Sequence, residues 1–273
     1  MRIARALPEA LHEAKGAHGG AGHLRFQGLW DKDAFQTPWL FVHYAVIPPG
    51  GGIGHHRHDD CEEMFTILDN AAQFTHNGRT VEIIGGATVP CRKGESHAIY
   101  NHTDRDTRFL NFCVVNPGGV YDCTDFGDPR VGVPLESTDR LPVGRLERTL
   151  LKRDTGVHGG NGEVWHREVW SWQDFRTHWG FVGHALVPPG SSIGYHRHDT
   201  IEECYIIMSG SGRMTVDDET VEVSQDTAIP NRLGGSHGLY NHTDAVLELL
   251  VMGVCIERGK FDRTDLEDDL TKR

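Results

Sequence analysis

Short stretches in which apolar and polar residues alternate recur along the chain: WLFVHYAVI at 39–47, EMFTIL at 63–68, TVEII at 80–84 and RFLNFCVV at 108–115. A period of two sends successive side chains to opposite faces of a β-strand. The stretches are divided by PPGGG, DN, NG and NPGG, all of them turn-forming. Strands at this spacing predict an all-β barrel or sandwich. Short helical segments are expected only around PEALHEAKG near the N-terminus and LPVGRLERTLLK in mid-chain.

The pattern is written twice. HGGAG at 18–22 returns as HGGNG at 158–162, Trp30–Gly50 as Trp170–Gly190, GESHAIYNHTD at 94–104 as GGSHGLYNHTD at 234–244, and YDCTDF at 121–126 as FDRTDL at 261–266. The register stays at 140 residues (196 minus 56 for the paired histidines). That period is too long for a solenoid repeat, so each copy is expected to be a complete domain, 1–130 and 131–273.

Within each copy one cluster stands out: GHHRHDDCEEMF at 54–65 and GYHRHDTIEECY at 194–205. Imidazoles and carboxylates are costly to bury without partners, so a doubled cluster of them calls for a compensating group. On a strand His56 and His58 point the same way and Arg57 the other, and His196, Arg197 and His198 repeat this. Glu63 and Glu203 follow five residues later, and His97 and His237 come 34 residues beyond their glutamates. Three neutral imidazoles and a carboxylate suit Fe(II), Mn(II), Ni(II), Cu(II) or Zn(II), one divalent ion per copy.

These residues resemble the motifs of the cupin superfamily, and the chain as a whole resembles a bicupin. The first motif, G(x)5HxH(x)4E(x)6G, is met by Gly190, His196, His198, Glu203 and Gly210, and by Gly50, His56, His58 and Glu63, with Asn70 in place of the last glycine. The core of the second, Gly-x2-His-x3-Asn, is met by Gly94, His97 and Asn101, and by Gly234, His237 and Asn241. The motif spacing selects Glu203 and Glu63 as ligands, and the adjacent Glu202 and Glu62 then face away. The resemblance implies two tandem double-stranded β-helix (jelly-roll) barrels, pairing of barrels into a homodimer, and a metal-dependent enzyme acting on a small polar substrate. A dioxygenase-type reaction is the first expectation; isomerase, lyase, cyclase or purely ligand-binding bicupins share the same ligand set.

Secondary candidates surround the cluster. Arg92 and Arg232 precede the last ligand and could clamp a substrate carboxylate. His43 and His184 are further candidate catalytic residues; His43 and Asn111 stand opposite Gly183 and Val251 of the other copy, which predicts a more polar first pocket. HGGxG lacks the strand-before, helix-after setting of a phosphate loop, so it reads as a glycine turn with His18 and His158 in capping or packing roles.

Composition narrows the partners. A formal net charge of −12 disfavours nucleic acid and anionic membranes, and no apolar run reaches the length of a membrane span. The six cysteines fall out of register between the copies, which points to free thiols. With no secretory pattern at the start, a cytoplasmic location is expected.

Overall fold

The computed structural model describes residues 1–273. Each copy folds into a β-barrel of one seven-stranded and one five-stranded antiparallel sheet. In the first copy Ala87–Cys91, Cys61–Ile67, Thr107–Val115, Trp39–Ile47, His23–Asp31 and His12–Lys15 lie side by side in the larger sheet. The smaller sheet runs Thr124–Asp128, Gly52–Arg57, Ser96–Tyr100, Ala71–His76 and Arg79–Ile84. The second copy repeats this order. The alternating stretches read from the sequence are these strands: their inner positions, among them Phe65, Phe74, Val89, Ile99 and Phe109, form a buried barrel core.

The helical expectations shrink to single 3-10 turns, Pro8–Ala10 and Arg148–Leu150. In the first region His12–Lys15 is extended and pairs with His23–Asp31; in the second, Gly144–Arg145 pairs with Ala87–Thr88 and Lys152 opens the strand Lys152–Thr155, so sheet pairing outweighs a weak local helical preference.

The two barrels share a third core, in which Trp39 and Trp179 meet edge to face at 5.3 Å, each stacked on its own Phe35 or Phe175. Both indoles are essentially excluded from water. The seventh strand of each large sheet crosses over from the other copy's leading segment: Ala4–Arg5 pairs with Thr227–Ala228, and Gly144–Arg145 pairs with Ala87–Thr88. The exchanged arms and the shared tryptophan core bind the barrels into one body.

Candidate metal centres

Each four-residue cluster is assembled between the two sheets of its barrel. His56 and His97 are direct cross-strand partners in the small sheet, and Glu63 reaches in from the large sheet, where it pairs with Cys91 and Cys113. His196, His237 and Glu203 repeat the arrangement. The ligating atoms of His56, His58, Glu63 and His97 all lie within 4.8 Å of one another, as do those of His196, His198, Glu203 and His237, and all eight residues are buried.

The hydrogen bonds fix which ring nitrogen faces the centre. His56 donates from Nδ1 to the Gly54 carbonyl at 2.7 Å, and His196 to that of Gly194 at 2.8 Å. His58 and His198 donate from Nδ1 to the carbonyls of Asp122 and Asp262. Each Nε2 is thereby left as a lone-pair donor aimed inward, the arrangement that backbone carbonyls impose on metal-binding histidines. His97 Nε2 approaches Glu63 at 3.1 Å and His237 Nε2 approaches Glu203 at 3.0 Å. The Nε2 atoms of His58, His196 and His198 are buried without any partner.

The electrostatics of the first cluster follow from burial and from its members' contacts with one another. Burial, with His97 alongside, pushes His56 down to about 2. Burial opposes ionisation of Glu63, yet the hydrogen bond from His97 and the His58 charge hold it at about 2. Burial likewise opposes a charge on His58, but Cys61 and Glu63 raise it to about 9. Without metal the cluster therefore keeps a carboxylate and one imidazolium together, and a divalent cation would displace that proton. Three inward Nε2 atoms, once freed of their protons, and a carboxylate fit such an ion.

A supporting layer, in which His18 and His158 take the packing role expected of them, completes the site. His18 stacks on His56 with ring centroids 4.0 Å apart, and His158 lies tilted over His196 at 4.1 Å. The HGGxG turns bring them there by lying flush on the ligand strand: a Cβ at Gly20 would sit 2.4 Å from the Gly52 carbonyl oxygen, and one at Gly54 would sit 2.1 Å from that of His18. Asp122 holds the turn after His58 by accepting from the N–H groups of Asp59 and Asp60, and Asp262 does the same for Asp199 and Thr200. The signal that could have found them is the 140-residue repeat itself, which preserves His18 and Asp122 as His158 and Asp262.

Each cluster opens onto a cavity, about 340 Å³ in the first barrel and about 560 Å³ in the second. The first is walled chiefly by apolar side chains, with His43, Asn111 and Tyr121 as its polar additions. The second is the more charged, lined by Asp154, Arg167, Glu168, Arg263 and Asp265. This reverses the expected order of polarity: the charges come from the neighbouring strands and the C-terminal loop, at the positions of Ala14, Gln27, Gly28, Cys123 and Asp125 in the first copy.

Two of the secondary candidates, Arg92 and Arg232, lie away from the cavities. Arg92 turns to the other barrel, donating to the Asp174 carbonyl and lying 3.8 Å from Glu95, while Arg232 lies with Arg2 and Asp217; neither lines the cavity of its own cluster. His184 borders the second cavity, but its strand parity is opposite to that of Gly183 and its Nε2 bonds Glu248 at 2.8 Å. His43 does line the first cavity, stacked on Phe41 at 4.0 Å, with burial pushing its pKa down.

Comparison with known proteins agrees with this architecture. A family model described as a cupin domain matches residues 43–115 and 183–253. The oxalate-binding protein of Thermotoga maritima is 30% identical over 115 residues, 42% of this chain and 93% of that protein. An uncharacterized protein of Methanocaldococcus jannaschii is 36% identical over 86 residues, 32% of this chain and 66% of that protein. Among solved structures, a Bacillus subtilis oxalate decarboxylase studied for its Mn(II) centres superposes with a TM-score of 0.64 at 14% identity, covering 96% of this chain and 79% of that one. At that identity the likeness is one of fold. No helix is long and apolar enough to cross a membrane.

Proposed function

The chain belongs to the cupin family, and from that premise we propose that it is a metal-dependent enzyme, with one divalent transition metal per barrel, acting on a small organic molecule through adjacent oxygen atoms. The doubled tetrad carries this reading: all eight ligands survive with their geometry in two copies that have diverged in the walls around them. Each cluster also opens onto a cavity, as a reactive centre requires and a purely structural one does not.

The bound metal would supply either electron transfer to dioxygen or Lewis-acid polarisation of a carbonyl oxygen. The chain's own residues do the rest. Backbone carbonyls of Gly54 and Asp122 fix the tautomers of His56 and His58, and aromatic side chains line the approach to the first centre. His43, kept neutral by burial, is a proton acceptor on that wall. A dioxygenase-type reaction is the first reading, with non-redox isomerase, lyase or cyclase chemistry as its alternative. The name of the Thermotoga relative favours a second reading, ligand binding without turnover.

Elemental analysis of protein purified without added metal or chelator tests the premise, and about two equivalents per chain are expected. Oxygen-uptake screening of the loaded protein then separates the readings. Turnover that persists under strict anaerobiosis removes the oxygenase reading, and a ligand bound but never converted leaves the binding module.

A further inference from the structure

The first barrel carries a second group of metal-binding side chains, which its tetrad does not use. His18 Nδ1 lies 2.7 Å from Asp125 Oδ1, and Cys123 Sγ lies 3.1 Å from the same nitrogen and 3.0 Å from the same oxygen. Two segments bring the three together. The HGGxG turn carries His18, and the edge strand Thr124–Asp128, with Cys123 just before it, runs along the ligand strand so that Asp125 pairs with His56. A period of two puts Cys123 and Asp125 on one face. Cys123 is the one exposed cysteine of the six, and Asp125 is half exposed. His18 lines the first cavity together with Tyr121, whose hydroxyl lies 3.4 Å from His18 Nε2, so the cluster stands on the cavity rim.

Imidazole, thiolate and carboxylate are the three side-chain ligand types of zinc. Around a tetrahedral ion such atoms stand about 3.3–3.6 Å apart, so each contact has to open by roughly half an ångström, which side chains on an exposed edge can do. The ion would displace the protons now shared among the three groups and leave the imidazole proton on Nε2, where the Tyr121 hydroxyl can accept it. A divalent ion held by one thiolate and one carboxylate is neutral overall, so it adds little repulsion to a second divalent ion in the tetrad behind His56. The second barrel shows the same carboxylate meeting a cation. Arg263 stands at the position of Cys123, and its Nε pairs with Asp265 at 3.0 Å. There the chain supplies the positive charge itself; in the first barrel a thiol takes its place.

We propose that His18, Cys123 and Asp125 form a third metal site, on the rim of the first cavity, for a thiophilic divalent ion of the Zn(II) class. The second barrel has no counterpart. With three ligands open to water the site exchanges its ion, so the tetrads' two equivalents stay on purification and the third is gained on addition. The assignment goes beyond the enzyme reading and does not depend on it.

The test adds Co(II), a spectroscopic stand-in for zinc, to full-length protein kept reduced. The tetrads contain no sulfur and the other five cysteines are buried, so a thiolate-to-cobalt charge-transfer band in the near ultraviolet reports the rim site alone. The band is expected to saturate at one equivalent per chain and to be bleached by one equivalent of Zn(II). It should be lost in Cys123→Ser and weakened in both His18→Ala and Asp125→Asn. No band in wild type, a band that survives in Cys123→Ser, or one indifferent to both His18 and Asp125 overturns the proposal; the last would be a thiol binding metal without a site. Elemental analysis of the same samples separates this failure from that of the metalloenzyme reading. Two retained equivalents with no band leave the tetrads standing and remove the rim site, whereas a band without retained metal does the reverse.

Discussion

The carboxylate of Glu62 accepts a hydrogen bond from the backbone N–H of Thr177 in the opposite barrel at 2.8 Å and another from the Thr177 hydroxyl at 2.6 Å. The repeat reciprocates, Glu202 accepting from the N–H and hydroxyl of Thr37 at 2.6 and 2.7 Å. Both glutamates are fully buried, each next to the glutamate of its own candidate metal centre but directed out of its own barrel. One strand thus presents Glu63 to the histidine cluster of its own barrel and Glu62 to the neighbouring barrel.

Removing one of these carboxylates strands several buried donors at once. Glu62→Ala is expected to destabilise the protein by roughly 3–5 kcal/mol in chemical denaturation, with Glu62→Gln milder because the amide oxygen still accepts. Metal content should be unchanged in the folded fraction. Coupled loss of metal would contradict the outward role.

The two centres should empty independently. His97→Ala is expected to cost about one equivalent of metal per chain, His237→Ala the other, and the double variant both, by elemental analysis. Either single variant losing both equivalents would mean that the barrels load as a unit.

The stacked histidines offer a subtler test. His18→Ala leaves every ligand in place but removes the ring packed on His56. Loss of such support should weaken metal retention at the first centre by roughly tenfold or more in a chelator competition, with the second centre unaffected.

Acid should loosen the second centre's supporting turn. Burial pushes Asp262 up, but the Thr200 hydroxyl and the N–H groups of Asp199 and Thr200 outweigh it and hold the carboxyl below its ordinary 3.8. A folded-state value below the unfolded one stabilises fully above 3.8 and is lost as pH falls through the lower folded value. The gap in melting temperature between wild type and Asp262→Asn should therefore be constant near neutrality and close in strong acid. A gap that widened on acidification would contradict the assignment.

Local regularities carried most of what the sequence reveals. Alternation marked the strands, and the spacing of His56, His58, Glu63 and His97 marked a cluster whose members come from both sheets of one barrel. What stayed hidden depends on contacts distant in sequence. Glu62 could be read as facing away, but its partner Thr177 lies 115 positions on, across an interface that no local pattern encodes. Arg92 was drawn to the site by its place before His97, whereas the Asp174 carbonyl of the other barrel holds it elsewhere. The relative polarity of the two cavities was misjudged from strand positions 43 and 111 alone, since positions 154, 166 and 263 also contribute to the second wall.

The exchanged strands Ala4–Arg5 and Gly144–Arg145 have a bearing on how such a chain could have arisen. Each barrel lends its leading segment to the other and receives the same in return, and the glutamate clamps and tryptophans obey the same reciprocity. That is the self-complementary logic of a symmetric pair of identical subunits. The fused protein is in this sense a dimer carried on one polypeptide. A single copy expressed alone would display a matched donor arm and acceptor edge, and it should find its partner in a second molecule of itself.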